Sequence, residues 1–226
     1  MANLEIASFN VNSAVIAQEF GADRVELCEG MDVGGITPSE SDIKEAREKL
    51  SIKLNVMIRP RGGDFVYSDE EYQQMKEEII RIKQLGVDGL VFGILNADNT
   101  VDIVRNKVLV DLAAPLPCTF HRAFDDVNDL SLALEDVISC GFQTILTSGC
   151  EPNVDLGLSN LSKLIELANN RIVIMPGGGL RSSNVKHIFD QTYATYFHSS
   201  AITDGSDTAV GEEVRAIKLE IRDFEF

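Results

Sequence analysis

The chain has 226 residues, of which 44% are apolar and 25% charged, the composition of an ordinary soluble globular protein. Its 20 Lys and Arg against 36 Asp and Glu give a net charge of −16, which argues against a nucleic-acid or anionic-lipid partner. Because no apolar run approaches the roughly 20 residues of a spanning helix and no signal peptide is visible, we expect a cytoplasmic protein without a membrane partner.

Short apolar, β-branched runs alternate with segments of helical periodicity along the whole chain. The apolar runs predict strands at 4–9, 24–28, 53–58, 89–93, 117–121, 144–148, 172–175 and 195–198. The segments between them predict helices at 13–20, 39–50, 68–85, 101–114, 131–140, 160–168, 184–189 and 211–222. Eight strand–helix pairs of about 28 residues each (226/8) leave no length for a second domain.

The residues at which these elements begin and end favour parallel strands covered by helices. Gly21, Gly86 and Gly141 each end a predicted helix just before a strand, and Ser68 with Glu71 forms a capping-box pattern. Eight such units predict a (β/α)8 TIM barrel, an α/β fold, as a single domain over 1–226. A doubly wound open sheet is the alternative, disfavoured because no G-x-G-x-x-G follows the first strand.

In such a barrel, functional groups lie at the C-terminal ends of the strands. Strand alternation places Glu26 with Cys28 on strand two, and puts Arg59 and His121 at the ends of strands three and five. If these faces point inward, Glu26, Arg59 and His121 converge, with Arg59 as the expected cationic partner of Glu5 and Glu26. This set is either a structural ion network or an acid–base pair beside a guanidinium that holds an anion.

A triple glycine follows strand seven, and a helix is predicted to start near 181–184. Glycines let backbone N–H groups approach a ligand closely, and a helix N-terminus favours negative charge, so we expect a phosphate or another small anion there. The alternative is a tight turn that only needs glycine φ angles. The predicted anion- or substrate-binding residues are Arg61, Asp64, Arg122, Ser148, Gly177, Gly178, Gly179, His198 and Ser199. The predicted catalytic residues are Glu26, Arg59, His121 and Asp125.

The four cysteines contain no C-x-x-C, so a closed zinc site is not expected. Soft thiolates favour Cu(I), and Cys28 with Cys150 or His121 is the pairing that could hold it. The hard carboxylate oxygens of Asp64 and Asp125 would instead suit a divalent cation such as Mg²⁺. Copper and a divalent cation are therefore the candidate cofactors, and no organic cofactor is expected.

Seven ordered motifs resemble those of the copper homeostasis protein CutC family. They are the segments 21–28, 34–39, 58–65, 119–125, 146–149, 176–179 and 197–201. The resemblance implies a TIM barrel, a cytoplasmic location and a role in copper handling. The family's first strand commonly carries a cysteine where this chain has Ala7, so a Cu(I) site that uses that thiol and Cys28 lacks one ligand here.

Two functions are open at this point. The resemblance implies a protein of copper homeostasis, and the residues that motivate Cu(I) binding are Cys28, Cys150 and the two strand-end histidines, His121 and His198. The alternative is a TIM-barrel enzyme that acts on a small anionic or phosphorylated metabolite. Glu26 and His121 would move protons, and Arg59, Arg61 and the triple-glycine loop would hold the anion. The expected partner is thus a small anion or a metal ion, and self-association through helical faces is expected as well.

Overall fold

A computed structural model describes residues 2–222 and 224, in which strands and helices alternate. The strands are β1 Asn3–Ser8, β2 Arg24–Leu27, β3 Lys53–Met57, β4 Gly89–Phe92, β5 Cys118–Phe120, β6 Thr144–Thr147, β7 Val173–Pro176 and β8 Tyr196–Ser199. The helices are α1 Val11–Glu19, α2 Glu40–Lys49, α3 Asp69–Lys83, α4 Ile103–Ala113, α5 Leu130–Cys140, α6 Leu158–Ala168, α7 Val185–Thr192 and α8 Gly211–Arg222.

The eight strands form one parallel sheet that closes on itself. Each strand pairs with its neighbours in the chain, and β1 pairs with both β2 and β8. The barrel closes between β7 and β8, where Gly177 and His198 form a parallel β-bridge. This closure confirms the (β/α)8 TIM barrel and excludes the doubly wound open sheet.

Local chemistry explains where the helices begin and end. The capping box of α3 is present, with the Ser68 hydroxyl accepting from the Glu71 N–H and the Glu71 carboxylate accepting from the Ser68 N–H. Helix α5 starts at the Asp129 cap and ends at Gly141 in the left-handed conformation, with φ 91°. Within the described part of the chain, no helix is both long and apolar enough to cross a membrane.

The two faces of the sheet differ in polarity. Side chains such as Phe92 and Phe120 point outward and pack with Phe142 under the helices, with ring centroids 5.1 and 5.2 Å from that of Phe142. The inward faces of β1, β2 and β3 instead carry the buried polar residues Glu5, Glu26 and Asn55. Buried acidic side chains in a barrel interior need positively charged partners, so cationic residues are expected close to Glu5 and Glu26.

Candidate functional site

A cavity of about 240 Å³ opens at the C-terminal ends of the strands. Apart from β4, each described strand contributes residues to the lining, either from the strand itself or from the loop that follows it. Its charged side chains include Glu26, Arg59, Arg122 and Arg181, and both strand-end histidines, His121 and His198, also line it. This volume is below the range typical of drug-sized pockets and suits a small metabolite or an ion.

Glu5 lies at the floor of this region with every carboxylate oxygen engaged. Arg24 donates to it at 2.5 Å, His198 Nδ1 lies 2.9 Å away and Asn55 donates at 3.2 Å. Burial by itself raises the pKa of Glu5, but the charge of Arg24 and the hydrogen bond to His198 outweigh it and lower that pKa to about 2. Glu5 is therefore an ionised member of a satisfied network.

The predicted partnership of Arg59 with the two acids is wrong. Arg59 follows the end of β3, where loop carbonyls surround its guanidinium. It donates to the carbonyl oxygens of Val33, Gly35 and Gly63 at 2.7 to 2.9 Å. It also stacks over Phe65, with 4.7 Å from the guanidinium carbon to the ring centroid. The cations that compensate the acids are Arg24 and His198 instead.

Glu26 is the buried acid whose bonding is incomplete. Its Oε2 lies 3.5 Å from Nε2 of His198, whereas its Oε1 is buried and has no hydrogen-bond partner among the residues that the structure describes. Burial, helped by the charge of Glu5, raises the pKa of Glu26 to about 7 although His198 and Arg24 oppose the shift. Burial also acts to lower the pKa of His198, but the hydrogen bond to Glu5 and the charges of both carboxylates raise it overall.

His121 is a neutral donor, not a partner of Glu26. Its Nδ1 accepts from the Ala123 N–H at 3.2 Å, which places the ring proton of the neutral form on Nε2. That Nε2 is buried, and no hydrogen-bond acceptor meets it within the described part of the chain. Burial, together with the charge of Arg59, lowers the pKa of His121 to about 3. The imidazole that faces Glu26 is thus His198, which the sequence analysis assigned to anion binding.

Arg122 is held at the opposite wall by Asp125. The guanidinium donates to Asp125 at 2.7 Å and to the Ser148 hydroxyl at 2.9 Å. Asp125 also accepts from the backbone N–H groups of Ser148 and Cys150 and from the Thr147 hydroxyl. Asp125 and Ser148 lie behind Arg122 and do not line the cavity. Their place in the structure is therefore that of positioning groups for Arg122.

The triple glycine after β7 forms the next part of this cavity wall, and two of its residues have positive φ angles. Gly178 and Gly179 have φ angles of 105° and 74°, which glycine adopts readily. They line the cavity with Arg181, which donates to the carbonyls of Leu180 and Ile202 and to the Ser199 hydroxyl. The loops after β7 and β8 are thereby tied together around the mouth.

Four of the predicted anion-binding residues, Arg61, Asp64, Ser148 and Gly177, lie outside the cavity lining. Arg61 donates to Glu71 at 2.6 Å and to Asp64 at 2.9 Å, and neither Arg61 nor Asp64 lines the cavity. The side chain of Asp64 is 68% exposed. Because Glu71 lies in the first turn of α3, it draws Arg61 away from the mouth toward that helix.

The two thiols predicted to bind copper do not meet. Cys28 lines the cavity, and burial, with the charges of Glu26 and Glu5, holds its pKa well above the usual range. Cys150 lies four strands away in the loop after β6, where its thiol donates to the Phe124 carbonyl and burial raises its pKa to about 12. Both groups therefore stay protonated, the form that binds metals poorly.

One cluster in the described part of the chain could place three ligand atoms around a metal ion. It consists of Glu5, Glu26 and His198, with one candidate atom from each within 4.8 Å of the others. The cluster contains no thiol, and its carboxylate oxygens are hard donors that do not match the preference of Cu(I). Its charges are already balanced in part by Arg24.

Arg24 is the site residue that the sequence analysis missed. It opens β2 and shares the inward face of that strand with Glu26, so the same alternation could have identified it. Its pairing with Glu5 follows from the register, in which Glu5 lies opposite Arg24 on one side and His198 on the other.

Comparison with known proteins gives a consistent assignment. The model of the CutC family matches residues 2–203. The human copper homeostasis protein cutC homolog is 47% identical over 198 residues, which cover 88% of this chain and 72% of that protein. A CutC crystal structure from Streptococcus agalactiae matches with a TM-score of 0.84 at 37% identity, covering 90% of this chain and 100% of that chain. Phosphoribosyl anthranilate isomerase from Thermotoga maritima, at 12% identity and a TM-score of 0.65 over 99% of this chain and 100% of that one, shares only the fold. The chain belongs to the CutC family.

Proposed function

We propose that the cavity is the active site of an enzyme that moves a proton on a small anionic metabolite. The observation that supports this most is Glu26, a buried carboxyl group beside the cavity with a free oxygen and a pKa of about 7. A general acid–base group works best when its pKa lies near the working pH. A carboxyl group that served only as a counter-ion would instead have a lowered pKa, as Glu5 has.

The surrounding residues fit the same chemistry. The ionised Glu26 would take a proton from a carbon or hydroxyl of the ligand, and the resulting carboxylic acid would return it to a neighbouring atom. His198, fixed by Glu5, orients the other oxygen of Glu26. The negative charge that develops on the ligand would be stabilised by the guanidinium of Arg59 and by the free N–H of neutral His121.

Hydrogen exchange tests this function without knowledge of the product. Small phosphorylated and carboxylated metabolites are first screened for a rise in the melting temperature of the protein. Those that bind are incubated with the protein in D₂O and analysed by mass spectrometry for deuterium at carbon. We expect exchange with the wild-type protein and a loss of at least about 100-fold with Glu26→Gln, the scale of a general acid–base group.

The control is Glu166→Gln, which removes an acid from the outer helix α6. Exchange should persist in this variant. The proposal is wrong if Glu26→Gln exchanges the ligand as fast as wild type, or if no metabolite both binds and exchanges.

Copper binding is a second candidate, supported by the names of the relatives and by Cys28 at the cavity. Copper would be held by the Cys28 thiolate with His121, which requires Cys28 to lose the proton that burial stabilises. Competition with a Cu(I) chelator measures this directly. Equal, weak retention by wild type and Cys28→Ala would reject it, whereas tight binding lost in Cys28→Ala would favour it over the enzyme. The cytoplasmic location and self-association stay predictions.

A further inference from the structure

Two arginines at the cavity have no carboxylate partner in the part of the chain that the structure describes. Arg59 is 5% exposed, and its guanidinium donates to three backbone carbonyls. Arg181 donates to two carbonyls and a hydroxyl. By contrast, Arg122 is paired with Asp125, and Arg61 with Glu71 and Asp64. A buried charge is costly unless an opposite charge meets it, so the buried Arg59 favours an anion from outside, and the half-buried Arg181 adds to the attraction for an anion at its end of the cavity.

The barrel places these two cations on opposite walls. Arg59 follows β3 and Arg181 follows β7, which are four strands apart in a ring of eight. Glu26 on β2 and His198 on β8 lie on the arc between them. A ligand that reached both arginines would therefore cross the part of the cavity that Glu26 lines.

The two ends differ in the number of donors they offer. At the β7 end, the N–H of Gly179 donates to no acceptor among the described residues, and the left-handed backbone of Gly178 and Gly179 is of the kind that forms an anion-binding nest. Arg122 and Arg181 flank these two amides in the cavity lining. At the β3 end, the cavity lining holds one cation, Arg59, whose guanidinium already donates to three backbone carbonyls.

We propose that the ligand carries two anionic groups, a phosphate held by Gly178, Gly179 and Arg181 and a carboxylate held by Arg59. Three terminal phosphate oxygens match the larger set of donors, and the smaller carboxylate matches the single guanidinium of Arg59. This inference rests on the proposed function and names its substrate class, a short phosphorylated carboxylic acid. The cavity of about 240 Å³ limits such a molecule to a few carbon atoms between the two groups.

Calorimetry with two probes of equal length tests the inference. Glycerol 3-phosphate and 3-phosphoglycerate share the phosphate, and only the second carries a carboxylate. We expect wild type to bind 3-phosphoglycerate about tenfold or more tightly, the scale of a charge-assisted hydrogen bond. Arg59→Met should remove this preference and leave glycerol 3-phosphate binding unchanged, whereas Arg181→Met should weaken both probes. Arg61→Met, two residues from Arg59 and outside the cavity, should preserve the preference.

The outcomes separate this inference from the proposed function. Equal affinity of wild type for the two probes would overturn the two-ended ligand while leaving an anion-binding active site in place. Binding of neither probe would overturn both. A preference that survives in Arg59→Met would overturn the role of Arg59. Since the wild-type comparison needs no variant and Arg59→Lys keeps the charge, a misfolded Arg59→Met does not remove the test.

Discussion

Nε2 of His198 lies 3.5 Å from Oε2 of Glu26, inside a barrel whose other buried acid, Glu5, lies 2.9 Å from Nδ1 of the same imidazole. His198 thus lies between two carboxyl groups whose pKa values are shifted in opposite directions. Glu5 has Arg24 as a second cation and a pKa of about 2, whereas Glu26 lacks one and has a pKa of about 7. Two acids with pKa values pushed apart by their surroundings are a mark of acid–base sites.

The pKa of Glu26 has a consequence for stability. Because it rises from 4.5 unfolded to about 7 folded, the stabilising effect of its proton is complete below pH 4.5 and is lost as the pH rises through about 7. Glu26→Gln should match wild type in urea unfolding at pH 4.5 and exceed it at pH 8, by at most about 3 kcal/mol. An equal difference at both pH values would contradict the raised pKa.

Removing Arg24 should leave the buried negative charge of Glu5 without its compensating cation. Glu5 is 1% exposed and the Arg24 side chain 14%, so Arg24→Met leaves an ionised carboxylate without its strongest partner. We expect a loss of about 3–5 kcal/mol in the free energy of unfolding at pH 7. Adding Glu5→Gln should restore part of it. Arg171→Met, which breaks an exposed pair with Glu135, should have a much smaller effect. A similar loss in both single variants would refute the buried pair.

The glycine wall can be tested with inorganic phosphate. A Cβ at Gly178 would lie 3.1 Å from Cζ of Arg122, at a φ of +105° that other residues rarely adopt. Gly178→Ala should therefore weaken phosphate binding about tenfold and lower stability by about 1–3 kcal/mol. Gly205→Ala is the matched control, since Gly205 also has a positive φ of +80° but no atom within 4 Å of its added Cβ. Equal phosphate affinity in the two variants would argue against a site at Gly178.

The two strand-end imidazoles should behave differently in NMR spectra. Long-range proton–nitrogen correlations should show His121 neutral between pH 5 and 8 with its proton on Nε2, because its pKa is about 3. His198 should stay protonated to higher pH than a free histidine because its pKa is raised. Titration of His121 within this range, or a proton on its Nδ1, would contradict its assignment as a neutral donor.

Much of this arrangement follows from patterns visible in the sequence. The alternation of apolar runs and amphipathic segments predicts all eight strands and helices, because each repeats the same local period. The alternation within β2 and the strand-end rule also bring Glu26, Arg59 and His121 to one cavity. These features depend on local geometry, which neighbouring residues determine.

The partners of the buried charges do not follow from local patterns. Glu5 meets Arg24 and His198 because β1 pairs with β2 and β8 in one particular register, a property of the closed barrel. Arg59 and Arg61 look equivalent in sequence, yet Glu71 draws only Arg61 out to α3. Cys28 follows β2 and Cys150 follows β6. The sequence shows both as residues that follow a strand, and only the order of the strands in the barrel shows that these two thiols are too far apart to share an ion.

The protonation state of Glu26 in the unliganded protein decides whether this residue can act as the acid–base group of the cavity. Infrared difference spectra of wild type minus Glu26→Gln isolate the carbonyl stretch of a protonated carboxyl group at this position. We predict a band that is present at pH 5 and fades with a midpoint near the Glu26 pKa of about 7. A band already absent at pH 5 would show an ordinary ionised carboxylate and would contradict the role of Glu26 as an acid–base group.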